Sequence, residues 1–555
     1  MNMKLLSSPP NLIMGLFVCF LLVQCKQEEP SLRVEGLEHV IVIGVDGLSP
    51  DGIRNAETPV MDELREGGAA TLRARAVLPT SSSPNWASMI MGAGPAQHGI
   101  TSNAWQPDDF VLPTAAADET GYFPTIFSIL HKQEPEAEIG AIYDWEGFGR
   151  LFSHEHVDFH TSPDSEEATA EEAMRYIREK RPRFCFIHFD HVDHAGHTHG
   201  HGTPAYYRAV EKADSLIGIV LETLKTEGLL DRSLVLLTAD HGGVGLGHGG
   251  ETPEEVEIPF ILFGKGIKKG YEIAGFVNTY DNAATVASAL GLEIPHPWIG
   301  RPVAEAFAGR PAPKGDYQRK ELIRQPLIEP RQDGIEVAGG LFIDTLPMLN
   351  IKNPNDMGEI RYTLDGSTPD AGSPVFEAPV RIERNAIVQA VVFAEGEPVS
   401  KEAAGYFRIL TAEEAFGVRY DCYEEENMDK LPDFDRLKPA SSGAAHEFSL
   451  QHVELPREEQ VAVVFESDLT VEKEGEYTFY LASDDGSKLY VNDRQVVDND
   501  GDHGVIERAG TIELTPGKHR IRVAWFNGGG GMALQAYYKG PGVPKQIIPG
   551  NRLSN

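Results

Sequence analysis

The chain has 555 residues, 41% hydrophobic and 24% charged, enough for three or four packed domains of roughly 150 residues each. Its formal net charge of −35 excludes a nucleic-acid polymer as partner, because phosphate backbones are held by concentrated Lys and Arg. The same surplus keeps an exported protein soluble.

The N-terminus carries the first informative pattern. Lys4 precedes an apolar run from Leu12 to Val23, broken only by Gly15, with Cys25 close behind. Such a run is short for a bilayer span and suits the core of a signal peptide, so residues 1–25 are expected to direct export. Leu22-Val23-Gln24-Cys25 resembles a bacterial lipoprotein box, although Gln24 replaces the usual small residue. The resemblance implies lipidation at Cys25 and a cell-envelope or outer-membrane location, facing periplasm or exterior, with the lipid as the only membrane contact. Beyond the leader, Cys185 and Cys422 stand far apart and imply no disulfide framework.

From residue 34 to 308 the pattern is α/β. Short apolar, β-branched runs at Val40 to Val45, Ile139 to Tyr143, Phe184 to Phe189, Leu234 to Leu237 and Phe260 to Phe263 have the character of buried parallel strands. Helical spacing recurs between them, in Tyr206, Val210, Ala213, Ile217 and Val220, and again from Ala283 to Leu290. A mainly parallel sheet flanked by helices follows. Asp46, Asp190 with Asp193, and Asp240 stand just past the carboxyl ends of three of these strands, the edge where open α/β sheets bind ligands.

The residues at that edge suit metal chemistry. The stretch His188 to His201 holds six histidines and two aspartates and reads as one loop. Asp240-His241 adds a pair, and His248 lies in a glycine-rich segment. Neutral imidazole and carboxylate are donors that divalent zinc accepts. A loose metal-scavenging loop is the bland alternative, weakened by Asp46 and Asp240 at neighbouring strand ends. Hydroxyls at Thr80 to Ser83 precede Pro84, where a helix start would favour an anionic phosphoryl group.

The order Val-Asp46-Gly, Pro-Thr-x-Ser82-x-Pro-Asn85, His98-Gly-Ile, Asp193-x-x-Gly-His197 and Asp240-His241-Gly resembles the type I phosphodiesterase/nucleotide pyrophosphatase branch of the alkaline phosphatase superfamily. The resemblance covers roughly Val34 to Phe307. It implies two zinc ions, one held by Asp46, Asp240 and His241 with Ser82 as nucleophile, the other by Asp193, His197 and His248. It also implies that Asn85 donates to a phosphoryl oxygen and that a phosphoseryl enzyme forms. Asp190 and His194 share the spacing of Asp193 and His197, but only the latter pair has Gly196 before its histidine. Ser82 and Ser83 depart from the family's usual Thr and aromatic residue. Trp86 stands where a formylglycine sulfatase carries Arg. Trp86, Trp105 and Trp145 are candidate walls of a leaving-group pocket, with packing the alternative.

After Ala308 alternating strand patterns and Gly, Asp, Asn and Pro turns predict two all-β domains, one Ig-like and one a β-sandwich. Ile360 to Pro369, with Ser373-Pro-Val-Phe, resembles the small Ig-like domain of chitobiase-type hexosaminidases and implies a spacer over 325–410, with Asp365-Gly366 as a hairpin turn. Tyr477 to Val491 and Gly517 to Phe526 resemble the protective-antigen-type sandwich, over 413–555. In sugar-binding members the pair matching Asp484-Asp485 holds Ca2+, so glycan is an implied partner. The expected activity is hydrolysis of phosphate diesters at the cell envelope. The competing readings are a phosphomonoesterase or sulfatase-like ester hydrolase on glycans, and a glycan-binding surface protein without activity.

Overall fold

A computed structural model describes residues 32–313, 315, 323–331, 338–355, 357–411 and 417–554. The expected leader and Cys25 lie outside these residues. Among the described residues, no helix is long and apolar enough to cross a membrane.

The first domain is built on eight strands: β1 (His39–Val45), β2 (Ala69–Arg75), β3 (Ile139–Tyr143), β4 (Phe159–Thr161), β5 (Phe184–Phe189), β6 (Ser233–Thr238), β7 (Glu257–Gly264) and β8 (Tyr271–Glu272). Their order across the sheet is β4-β3-β5-β1-β6-β7-β2-β8. The five from β4 to β6 run parallel. The expected parallel sheet is thus present, with an antiparallel edge: β7 pairs antiparallel with both β6 and β2.

Every residue of β1, β5 and β6 is buried, which is why these strands read as continuous apolar runs rather than alternating ones. Each Val, Ile, Leu or Phe enclosed this way contributes roughly 1.5–3 kcal/mol, so the sheet centre is a rigid platform. Gly44 is the exception in β1. A Cβ there would stand 2.5 Å from the Trp86 ring, and its absence lets that indole lie across the strand.

The helix Pro204–Thr226 buries Tyr206, Val210, Ala213, Ile217 and Val220, the face its spacing predicts. The later region is β-rich, as expected. One five-stranded and one three-stranded sheet form the Ig-like part, and a seven-stranded and a four-stranded sheet form the sandwich. Asp365-Gly366 does not close a simple hairpin, however. The strand Glu359–Thr363 pairs with the distant Ala386–Ala394, and the segment after Asp365-Gly366 meets it at the Arg361–Val375 bridge, with Tyr362 N–H donating to the Pro374 carbonyl and Phe376 N–H to the Ile360 carbonyl.

The two β domains are joined firmly. Arg408 from the Ig-like part forks onto both oxygens of the buried Glu447, and Tyr406 and Ile387 pack with Tyr537 and Ile547. The chain also returns to the first domain: Arg331 approaches the His201 carbonyl, and Arg324 reaches Glu257 and Glu254.

Candidate active site

Strand register assembles the site. Gly44 pairs with His188 on one side and Thr238 on the other, so Asp46, Asp190 and Asp240 emerge together at one sheet edge. Gly47 turns the chain there with φ 66°, and a Cβ on it would lie 2.8 Å from Asp193. Only glycine lets these two segments approach so closely. Its amide donates to Asp240 Oδ1 at 3.2 Å.

The predicted His-rich loop is not a loop. His188 belongs to β5, and His191–His199 is a helix, which places Asp193 and His197 on one face at i and i+4. His194 is exposed on the same helix, so the fold separates the two candidate pairs. Gly196 is needed because a Cβ there would meet His201 Nε2 at 2.3 Å.

Ser82 opens the helix Ser82–Met91 and is 5% exposed. The Ser81 side chain makes no capping bond; Pro84 has no N–H, and the Ser83 and Asn85 amides are given to Asn103 and the Ser81 carbonyl, which leaves the Ser82 amide at the helix's positive end. Ser82 Oγ lies 3.4 Å from His241 Nε2. The same nitrogen has Asp240 Oδ2 at 3.1 Å and Asp46 Oδ1 at 3.4 Å. Four donors bound at about 2.0 Å around a tetrahedral ion sit roughly 3.3 Å apart, close to these three spacings from Nε2, and ligand atoms of Asp46, Asp193 and His241 also lie within 4.8 Å of one another. A second set, Asp193, His197 and His248, lies alongside: Asp193 Oδ2 is 3.2 Å from His197 Nε2 and 3.7 Å from His248 Nε2. The His241 and His248 rings stack at 3.7 Å, so the two sets touch.

The hydrogen bonds around these histidines call for cations. Nδ1 of His241, His197 and His248 donates to the carbonyls of Gly242, Leu246 and Thr80, at 2.9, 2.9 and 2.7 Å. Each Nε2 is thereby turned toward carboxylates, which only accept. Asp46 Oδ1, Asp193 Oδ1 and Asp240 Oδ2 are buried without a hydrogen-bond partner among the described residues. Buried acceptors facing one another are costly unless a positive charge lies between them. Burial, then the charges of Asp46 and Asp193, push the Asp240 carboxyl well above the usual range. Burial would also raise Asp193, but His197 and His248 hold it well below. Burial, aided by His241, lowers His248 to about 4, keeping it neutral and able to ligate. Asp193 raises His197 to about 9 against burial. These donors fit divalent metal ions.

Two expectations need correction. Asn85 is fully buried, and its Nδ2 donates to the carbonyls of Val77, Pro79 and Ser81 while its Oδ1 accepts from Val77 N–H. It ties the serine-bearing strap to the helix and has no donor left for a phosphoryl oxygen. Trp86 is also fully buried, so it lines no leaving-group pocket; its Nε1 donates to Asp46 Oδ2 at 3.0 Å. Trp105 and Trp145 pack against the core at its margin.

Other residues at the site were not singled out from sequence. His188 lies beneath Asp46, 3.4 Å from Oδ2, with Asp144 3.4 Å from its other nitrogen. His188 and Trp86 fix Asp46 so that Oδ1 faces His241. The exposed Asn103 accepts from Ser83 N–H at 2.8 Å, which sets its amide at the helix start beside Ser82, and Arg150 donates to Ser83 Oγ at 3.2 Å.

Asp484 and Asp485 of the sandwich are both buried. Asp485 accepts from His503 and Gly528 N–H groups at 3.0 and 2.8 Å. Trp525 Nε1 donates to the Asp484 main-chain carbonyl at 2.9 Å, and burial with the neighbouring Asp485 pushes the Asp484 carboxyl up to about 7.

Parts of the chain are similar to known proteins. Residues 40–249 match the family model "Type I phosphodiesterase / nucleotide pyrophosphatase", residues 349–404 match "Fn3 associated", and residues 415–551 match the PA14 domain. A venom phosphodiesterase of Crotalus durissus collilineatus is 25% identical over 214 residues, 37% of this chain and 26% of that protein. Ectonucleotide pyrophosphatase/phosphodiesterase family member 1 of Mus musculus is 28% identical over 199 residues, 33% of this chain and 21% of that protein. The match therefore spans about a quarter of these relatives' length. Among solved structures, an inactive variant of murine ectonucleotide pyrophosphatase / phosphodiesterase 5 in complex with AMP superposes with a TM-score of 0.43 at 16% identity, over 49% of this chain and 100% of that one. A 2-O GAG sulfatase superposes with a TM-score of 0.43 at 17% identity, over 64% and 85%.

Proposed function

Because the chain carries a type I phosphodiesterase / nucleotide pyrophosphatase domain over residues 40–249, we propose that it is a zinc-dependent phosphodiesterase with Ser82 as nucleophile. The observation that carries this reading is the placement of Ser82 Oγ 3.4 Å from His241 Nε2, at a helix N-terminus and against unpartnered buried carboxylates. Asp46, Asp240 and His241 would hold one zinc, and Asp193, His197 and His248 the other. The two ions supply positive charge that lowers the serine pKa and offsets charge on the phosphoryl oxygens.

The protein residues do the rest. Ser82 Oγ attacks phosphorus as the leaving alcohol departs on the opposite side, giving a phosphoseryl enzyme that still carries one ester group. Water then displaces Ser82 by a second in-line attack. The Ser82 amide and the positive end of the Ser82–Met91 helix favour the phosphoryl oxygens, and Asn103 stands beside them. His188 and Trp86 hold Asp46 in place throughout.

The reading fits an exported protein acting at the cell envelope, tethered through Cys25. The test is zinc content with turnover of an aryl phosphodiester, an aryl phosphomonoester and an aryl sulfate. About two zinc ions per chain, preference for the diester, and a loss of roughly 10³-fold or more in kcat for Ser82→Ala are expected. Undiminished diester hydrolysis by that variant would sink the assignment.

A further inference from the structure

The outer donor set lies under a second domain. The sandwich loop Gly528 to Gly531 reaches His197, and a Cβ built on Gly531 would stand 3.7 Å from His197 Nδ1. The same Cβ would be 2.8 Å from Asp484 Oδ2, so the Asp484 turn backs this loop, and its charge is felt at His197. A Cβ on Gly247, one residue before His248, would stand 3.8 Å from Val505 Cβ. Two segments of the sandwich thus rest on the rim of the site, one at each histidine of the outer set.

The rim is covered but lightly held. With the sandwich in place Ser82 is 5% exposed, and a phosphate ester needs a wider mouth to bring its phosphorus within about 3.5 Å of Oγ. The rim contacts named above are made by two glycines and one valine, which bury little apolar area. The firm joints lie elsewhere. Arg408 fixes the sandwich to the Ig-like part through Glu447, so the two form one body. That body meets the first domain through Arg324. Its N–H donates to Asn355 Oδ1 at 2.8 Å, its carbonyl accepts from Asn355 Nδ2 at 2.9 Å, and its guanidinium reaches Glu257 and Glu254. Ion pairs at one end and a shallow apolar contact at the other are the layout of a hinged cover.

We propose that the sandwich is a gate on the active site, closed in this structure, that lifts from His197 and Gly247 to admit substrate and release product, with Arg324 as its pivot. The proposal rests on the phosphodiesterase reading above and adds to it a domain movement in every turnover.

The test is a reversible bolt across the rim of the full, zinc-loaded chain. Cβ atoms of a disulfide lie about 3.5–4.5 Å apart, so Gly247→Cys combined with Val505→Cys can be joined with neither domain moved. The native Cys185 and Cys422 are buried and do not compete. Turnover of bis(4-nitrophenyl) phosphate is measured in the oxidised double variant and again after reduction with a phosphine. Because Gly247 adjoins His248, the comparison is made within this one protein at measured zinc content. The oxidised form should fall about tenfold or more below the reduced form in kcat/KM, and reduction should restore it. Release of the outer zinc to a chelator should slow in the oxidised form as well. Equal turnover in the two forms overturns the proposal. So does failure of the two thiols to join, since the rim contact would then be absent. A wild type inactive on every diester overturns the phosphodiesterase reading instead, and zinc release, equal or slowed, then decides the gate.

Discussion

The two donor sets sit side by side yet are built differently. Asp46, Asp240, His241 and Ser82 come from two strand ends of the buried sheet edge and the start of one helix, and all are nearly inaccessible. His188 and Trp86 brace Asp46 from below. Asp193, His197 and His248 come from a helix and a glycine-rich loop, the His197 side chain is 29% exposed, and the two histidines are held by the carbonyls of Leu246 and Thr80. The inner set adjoins Ser82, the proposed nucleophile, and on that reading it is organised for reaction. The outer set is organised for access, because it faces what binds from outside.

This contrast predicts unequal losses. His241→Ala should cost roughly 10³-fold or more in kcat/KM and remove one zinc, since it dismantles the position beside Ser82. His197→Ala should also remove one zinc but cost less, with a larger share in KM. Kinetics with metal analysis checks both, and equal losses would erase the distinction drawn here.

The inner set was legible in the sequence because its residues follow strands. Asp46 and Asp240 terminate apolar runs whose type and ends are readable, so their meeting follows from sheet topology. The outer set needed the helix that the His-rich stretch forms, since i, i+4 spacing is informative only on a helix. Asn85 shows where proximity in sequence misleads. It lies three residues after Ser82, which puts it about one turn down the helix and back against the strap from Val77 to Ser81. Asn103 reaches the helix start through a loop, with no periodicity to mark it. The role of Trp86 depends on Gly44 leaving room for its ring, a long-range fit invisible to local pattern. Nothing in the pattern of the sandwich announces that its Asp484 turn faces His197, because domain docking leaves no period.

A smaller effect tests the bracing of the inner set. Trp86→Phe keeps the ring volume near that of the core and deletes the N–H bonded to Asp46, so zinc affinity at the inner position should weaken roughly 10- to 100-fold. Competition with a chelator measures it, and unchanged affinity would show that His188 alone suffices. The smallest effect is expected at His194, which shares the outer set's helix but is exposed. His194→Ala should change kcat/KM by less than about twofold, as surface substitutions do. A large loss there would place the outer ion on the other pair.

The central claim is that phosphorus passes through Ser82. The stereochemical course of hydrolysis at a phosphorothioate diester of one configuration, run in isotopically labelled water, tests it most directly. Two in-line displacements, first by Ser82 and then by water, predict net retention at phosphorus. Net inversion would mean that water attacks the substrate directly, and the phosphoseryl account would be contradicted.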